Sequence, residues 1–196
     1  MGLGLPQGGE SDFIPYCSYN AKAGRWSNKD DAGDLHELDE FTNIAADLGN
    51  IKTGYFRFME GQAPDKQFDS SAGADDTEKP SDQHKRGFQF LVFSKKLGGV
   101  REFSSTAGVV NAEINKLYDA FESEKGSNAG KVPIISCTGV EPVKSKYGTN
   151  YAPQMKLVKW ARRPVEFDDA AEQGGHVNPD PDPPKVEEDE EDDEFF

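Results

Sequence analysis

The distribution of charge along the chain is the feature that most restricts its fold. The protein has 196 residues and a formal net charge of −14. Residues 165–196 hold 14 Asp or Glu and one Lys, a net charge of −13, which leaves 22 acids and 21 bases in residues 1–164. Residues 165–196 are so acidic that they can bury too little apolar surface to offset the loss of conformational entropy on folding. We therefore expect a folded domain over residues 12–164, a flexible N-terminus over 1–11 and a disordered tail over 165–196.

Several classes of protein are excluded by composition. No run approaches the 18 apolar residues of a membrane span, and the N-terminus lacks the basic start and apolar core of a secretory signal. The two cysteines, Cys17 and Cys137, form neither a disulfide framework nor a zinc-binding Cys-x-x-Cys pair. We expect a cytoplasmic protein without membrane contact, located in the host cytoplasm if a phage encodes it.

The order of predicted elements favours a mainly β fold. Hydrophobic alternation predicts strands over 12–20, 40–48, 51–59, 87–94, 100–104, 132–143 and 151–161. Gly49-Asn50 offers a tight hairpin reversal between two of them, and residues 24–33 are polar and turn-rich. Residues 60–86 are too long and polar for an ordinary connection, which predicts a mobile excursion with a functional role.

One helix is predicted, from Thr106 as its cap to a point before Gly126. Its apolar stripe is Val110, Ile114, Leu117, Tyr118 and Phe121, at helical spacing. Several strands, one helix and a final strand pair match the OB-fold, a five-stranded Greek-key β-barrel, with extra strands around residues 87–104. A small α+β sandwich fits the same order of elements almost as well.

Catalytic motifs are not found in the sequence. The three histidines, His36, His84 and His176, lie apart in predicted loops, and no HExxH, GxSxG, GxGxxG or P-loop spacing occurs. A metal-dependent nuclease needs two or more carboxylates held on strands, and Asp47 alone does not meet this need. We expect no enzymatic activity, no cofactor and no metal.

Cations placed beside aromatic rings are the main functional signal in the domain. Six places show the pairing: Arg25-Trp26, Tyr55-Phe56-Arg57-Phe58, Lys85-Arg86-Gly87-Phe88, Arg101-Glu102-Phe103, Lys144-Ser145-Lys146-Tyr147, and Lys156 to Arg163 around Trp160. Proteins that bind single-stranded DNA stack bases on rings and follow the phosphates with cations. We predict that these residues form or border the binding groove. The alternative for each ring is an ordinary core position with a basic neighbour on the solvent face.

Strand alternation refines this prediction. An arginine face is not a dry core, so Tyr55 and Arg57 are expected to face outward and Phe56 inward. The same alternation places Lys156, Trp160 and Arg162 on one face of the last strand, together with Val158. Arg101 and Phe103 share one side of their strand.

The tail has a distinctive layout. Eight consecutive acids, Glu187–Glu194, precede Phe195-Phe196. Two exposed rings would lower the solubility that such acids provide, whereas a docking peptide uses rings for a pocket and acids to steer the encounter. We predict that Asp192, Asp193, Glu194, Phe195 and Phe196 dock on a partner. A polyanion can also occupy the cationic groove of its own domain.

These features together resemble the phage type, T7-like, of single-stranded DNA-binding protein. The segments that carry the resemblance are Phe13–Arg25, Asp47–Met59 with Gly61–Pro64, Lys146–Trp160 and the tail Asp192–Phe196. The resemblance implies an OB-fold that coats single-stranded DNA in replication, recombination and repair. It also implies a tail that recruits DNA polymerase, helicase–primase or recombination enzymes and competes with DNA. The Pro-Phe ending of the homotetrameric bacterial type is missing, so the oligomeric state stays open, a homodimer included.

Two other functions remain open at this stage. An acidic protein that binds partners or mimics DNA would have no affinity for single-stranded DNA. A divalent-metal nuclease would degrade it.

Overall fold

The computed structural model describes residues 14–59, 63–146 and 148–173, and their ten strands form one curled sheet. The strands are β1 (Tyr16–Asn20), β2 (Arg25–Lys29), β3 (Leu35–Leu38), β4 (Ile44–Ala46), β5 (Lys52–Arg57), β6 (Asp65–Phe68), β7 (Lys85–Ser94), β8 (Gly99–Ser105), β9 (Lys131–Ser145) and β10 (Gly148–Arg162). The helices are α1 (Gly108–Glu124) and α2 (Glu166–Gln173). The mainly β architecture with one principal helix is thus confirmed.

The sheet runs in the order β10-β9-β4-β7-β8-β1-β2-β3, and β5 pairs with both β7 and β6. β4 and β5 lie end to end along β7, so they act as one bent strand. The predicted hairpin at Gly49-Asn50 is therefore wrong. Leu48 and Ile51 on either side of that short 3-10 turn are both buried, and the chain continues along the core instead of reversing.

The two ends of the curled sheet approach each other. β1 pairs in parallel with β8, and the turn that follows β1 reaches β10, where the Tyr151 amide donates to the Ala21 carbonyl at 2.7 Å. The Tyr19 hydroxyl donates to the Tyr151 carbonyl at 2.9 Å. The concave face thus encloses the main core, and α1 packs Val110, Ile114, Leu117 and Phe121 into it. This confirms the predicted stripe, with Ala107 rather than Thr106 at the N-cap.

A second, smaller apolar cluster lies on the opposite face of the sheet. Phe167 of α2 is fully buried there with Ala45, Val132 and Ile134. Disorder from residue 165 onward is therefore wrong for α2, because this one aromatic ring gives an otherwise acidic helix a place to dock. Residues 1–13 and 174–196, with the predicted docking residues Asp192–Phe196, lie outside the described residues.

Parts of the segments predicted to be loops are strands. β2 occupies residues 25–29, and β6 adds to β5 within the predicted excursion over residues 60–86. Beyond β6, Asp69 fastens the following loop to the sheet by accepting hydrogen bonds from Arg86 and Thr53. Hydrogen bonds between Asp69 and the two neighbouring strands therefore hold this polar loop in place.

β9 and β10 pair along their whole length, from Lys131 opposite Arg162 to Ser145 opposite Gly148. Beyond Cys137 the residues of β9 are mostly exposed, whereas Ala152 and Pro153 of β10 are buried, so the two strands form a ribbon that lies along the domain with β9 uncovered. Pro142 lies opposite Tyr151, and Pro153 lies opposite Val140. Neither α1 nor α2, the α-helices of the described part, is long and apolar enough to cross a membrane.

Candidate nucleic-acid interface

Three residues predicted to contact DNA lie in the main core. Trp26, Arg101 and Phe103 are 5%, 2% and 0% exposed. The Trp26 ring stacks on Phe41 with centroids 3.8 Å apart, and the Phe103 ring meets Phe88 edge-on. The prediction is wrong for these three, because the alternation of β8 does place Arg101 and Phe103 on one side, but that side faces inward.

Arg101 is tolerated in the core because residues far along the chain satisfy its guanidinium. Its Nε donates to the Asn28 side-chain oxygen at 3.0 Å, and Asp31 lies 3.1 Å from Nη2. A further bond goes from Nη1 to the Val100 carbonyl at 2.8 Å. Buried charges persist when they are paired and hydrogen-bonded, so an arginine does not by itself mark a solvent face.

A β-bulge separates the residues predicted to share a face of β10. Leu157 is opposite Ile135, whereas Lys159 is opposite Ile134, so Val158 is the extra residue. Beyond a bulge the two faces of a strand exchange, and the predicted common face for Lys156, Trp160 and Arg162 is wrong.

Trp160 turns toward α1 as a result of this exchange. Its ring is half-buried and stacks on Phe121 with centroids 5.7 Å apart. Its Nε1 donates to a Glu124 carboxylate oxygen at 2.8 Å. Trp160 is therefore held between β10 and α1, and part of its ring stays accessible to solvent.

Tyr55 and Arg86 form an ordered pair on adjacent strands. The Arg86 guanidinium lies 5.4 Å from the Tyr55 ring centroid, a cation–π contact. Both nitrogens of the Arg86 fork donate to the fully covered Asp69 carboxylate, one of them at 2.8 Å. These bonds, with one from the Thr53 hydroxyl, hold the Asp69 pKa well below its usual range and raise the pKa of Arg86. Arg86 is thus fixed in place and largely neutralised.

The neighbouring predicted residues differ in their surroundings. Arg57 lies 3.6 Å from Asp65 and donates to Gln83 at 3.3 Å, and Lys85 at the start of β7 is exposed. Arg25 is exposed and paired with Glu37 at 2.7 Å.

The β9–β10 pair carries three of the four predicted lysines, Lys144, Lys146 and Lys156, all of them exposed. Residues 131–162 contain six Lys or Arg and one Glu, a net charge of +5, whereas residues 1–130 contain 14 bases and 21 acids, a net charge of −7. We call residues 131–162 the basic ribbon. Its six cationic side chains are all exposed: Lys131, Lys144, Lys146, Lys156, Lys159 and Arg162. Within the described ranges, Lys144, Lys156 and Arg162 make no ion pair. Tyr147 at its tip lies outside the described residues.

The sequence did not indicate two cation–ring pairs, one of them at the surface and one with a buried lysine. Lys52 lies 5.2 Å from the ring centroid of the partly exposed Phe68, and Lys29 lies 5.5 Å from that of Tyr16. Phe68, the one aromatic residue in the polar stretch over residues 62–86, was the available signal. Its cation comes from a different strand, so adjacency along the chain could not show the pair.

The described residues contain no group of three or more His, Cys, Asp or Glu side chains arranged to hold a metal ion. No protein-family model matches this chain, and no curated protein or solved structure shows significant similarity to it.

Proposed function

We propose that the protein is a non-enzymatic single-stranded DNA-binding protein and that the basic ribbon is its principal contact with the phosphates. The observation that carries this proposal is the separation of charge. Six exposed cations lie on one strand pair of a domain that is otherwise acidic. Exposed cations that neutralise phosphates release the counterions condensed on the nucleic acid, and this release drives binding.

Partly accessible rings near these cations support a preference for unpaired strands. Trp160 lies at the base of the ribbon, and half-buried Tyr151 lies along it. Tyr55 provides a third ring beside Arg86. Each base stacked on such a ring contributes about 1–3 kcal/mol, and stacking tolerates any base. We therefore propose binding with little sequence preference.

The topology is compatible with an OB-fold variant, which we propose as the framework. The bent β4–β5 strand, β7 and β8 form a meander, α1 follows, and β9 returns beside β4 before β10. This is the OB order of five strands with the helix before the last pair. The edge of β8 that would meet β10 in that barrel is instead paired with β1.

We propose two roles for the acidic segment beyond α2, both taken from the resemblance to phage-type proteins. The segment would recruit DNA polymerase, helicase–primase or recombination enzymes during replication, recombination and repair. It would also compete with DNA for the basic ribbon, because eight consecutive acids complement its charge.

Fluorescence anisotropy with a labelled oligo(dT) tests the DNA-binding proposal. Lys156→Glu combined with Lys159→Glu is expected to weaken binding at least about tenfold and to reduce the salt slope by about 0.7 for each phosphate that is no longer neutralised. The matched control is Lys95→Glu, which reverses an exposed lysine far from the ribbon in sequence. Equal affinity of the ribbon variant and the wild type would contradict the proposal. The absence of any binding would favour the acidic partner-binding or DNA-mimicking protein, and magnesium-dependent loss of the oligonucleotide would favour a nuclease.

A further inference from the structure

A cleft separates α1 from the β5–β7 strand pair. Its volume is about 240 Å³, and its apolar walls include Ile51, Phe88, Ile114 and Tyr118. Arg86 lines the same cleft. Sites for drug-sized ligands occupy about 300–1,000 Å³, so this cleft suits a smaller planar group.

A loop built around Asp69 forms one side of the cleft. Asp69 accepts hydrogen bonds from Arg86 and Thr53, and the Gly73 amide donates to the Thr53 hydroxyl at 3.0 Å. Ala72 and Gly73 of this loop line the cleft. This part of the polar segment, predicted to be mobile, is thus fixed as a wall opposite α1.

An unsatisfied hydrogen-bond acceptor lies in the cleft lining. The Asn111 side-chain nitrogen donates to the Arg86 carbonyl at 3.1 Å, which fixes the orientation of the amide. The other end of that amide, Oδ1, is buried and receives no hydrogen bond from any described residue. Buried polar atoms without hydrogen-bond partners are uncommon in folded proteins, so a buried acceptor such as this one indicates a missing donor.

We propose that this cleft receives a single nucleobase of a bound strand, and that the lining side chains that cover Asn111 Oδ1 in this structure move on binding, so that the base edge donates an N–H to that oxygen. The apolar walls fit the faces of a base, and Tyr118 provides a ring for contact. Adenine, cytosine, guanine and thymine all carry an N–H donor on the Watson–Crick edge, so the cleft takes a base of any kind. The Tyr55–Arg86 pair marks the mouth, since Arg86 belongs to both pair and lining. This inference rests on the proposed function and assigns it a base-binding site.

The cleft also connects to the basic ribbon through a row of rings. Tyr118 contacts Phe121 with centroids 5.7 Å apart, and Phe121 stacks on Trp160 at the same separation. Phe121 is buried in the core, so this row fixes the positions of the two partly accessible rings, Tyr118 and Trp160, on either side of it.

Methyl NMR of the full-length protein tests the proposal with deoxycytidine monophosphate and oligo(dT) as probes. The methyl resonances of Ile51 and Ile114 are expected to shift with both probes. Asn111→Ala is expected to weaken the response severalfold. Ala72→Trp, at an exposed loop position, is expected to fill the cleft and abolish the response. The control Asn128→Ala, at a residue whose side chain bonds only to Glu124 in the described structure, keeps the response.

Anisotropy with oligo(dT) separates this inference from the proposed function. Ala72→Trp is expected to weaken binding about three- to tenfold with an unchanged salt slope, because the slope reports phosphates and not bases. Oligonucleotide binding with unmoved Ile51 and Ile114 methyls would overturn the cleft and leave the proposed function standing. Methyl shifts with the mononucleotide, without oligonucleotide binding, would keep the cleft and overturn the proposed function. Wild-type behaviour in folded Ala72→Trp would also overturn the cleft.

Discussion

Asp69 shows how one carboxylate can organise a surface. It orients Arg86 beneath Tyr55 and fastens the loop that walls the cleft, with bonds from Arg86, Thr53 and the Thr77 amide. Because folding lowers its pKa, Asp69 contributes stability that is fully present above its unfolded pKa of about 3.9 and is lost only as pH falls through the lower folded value. The wall of the cleft is therefore insensitive to pH near neutrality.

The two tryptophans are expected to respond differently to DNA. Trp26 is buried on Phe41, whereas Trp160 is half-buried at the base of the basic ribbon. Trp26→Phe is expected to leave the quenching of fluorescence by oligo(dT) unchanged. Trp160→Phe is expected to reduce it severalfold. Steady-state fluorescence titration of both variants measures the difference.

The burial of Trp26 also predicts how its substitutions change the stability of the fold. Trp26→Ala is expected to lower the free energy of unfolding by about 3–5 kcal/mol, since it removes a large core side chain. Trp26→Phe costs less because it keeps a ring on Phe41, and the indole N–H has no acceptor among the described residues. Quenching that disappears in folded Trp26→Phe would contradict this assignment.

At the scale of elements, α2 depends on one side chain. Phe167 fills the apolar cluster behind the sheet, and Arg163 joins Asp47 and Asp168 with bonds of 2.6–3.0 Å. Phe167→Ala is expected to remove most of the docking free energy, about 3–5 kcal/mol for a buried Phe. Hydrogen exchange of the α2 amides would then accelerate at least about tenfold, since 1.4 kcal/mol is a tenfold change in an equilibrium.

The amides of β9 and β10 serve as the internal reference for this measurement. Val165→Ala, at a residue that is 65% exposed, is the matched control and is expected to leave α2 unchanged. Unaltered exchange in Phe167→Ala would show that α2 is held by its ion pairs instead.

Elements with local patterns were predictable from the sequence, whereas elements fixed by distant partners were not. The stripe of α1 and the pairing of β9 with β10 follow from spacing and β-branched composition. Asn28 lies 73 residues from Arg101, and no local pattern reports their bond. A single inserted residue, Val158, reverses the face of Trp160 without any change in composition. For the candidate site, the lysines of the ribbon were found because exposure is the default for lysine.

At the scale of the whole molecule, charge is divided into a basic ribbon, an acidic remainder of the domain and a still more acidic C-terminal segment. Deleting residues 187–196 is expected to tighten binding of oligo(dT) about tenfold at about 50 mM salt. The difference is expected to shrink toward zero near 1 M, where the Debye length is about 3 Å. Anisotropy titrations across a salt series measure it.

A length-matched control separates charge from chain length in this experiment. Replacing the eight acids of Glu187–Glu194 with Gln keeps the length and removes the charge, so it is expected to match the deletion. Affinity that stays the same in both variants at every salt concentration would contradict competition between the segment and DNA.

The ribbon contains three prolines, Pro133, Pro142 and Pro153, and Pro142 has a consequence for assembly. Pro142 and Pro153 each lack an amide hydrogen, and a paired strand accommodates proline where its nitrogen points away from the partner. The exposed border of β9 therefore lacks a donor at Pro142 that an incoming strand would require, whereas Pro153 is fully buried and the β10 border beside it is bonded through the Tyr151 amide to Ala21. Many copies crowded along one polynucleotide could thus lie side by side without their ribbons fusing into fibrils.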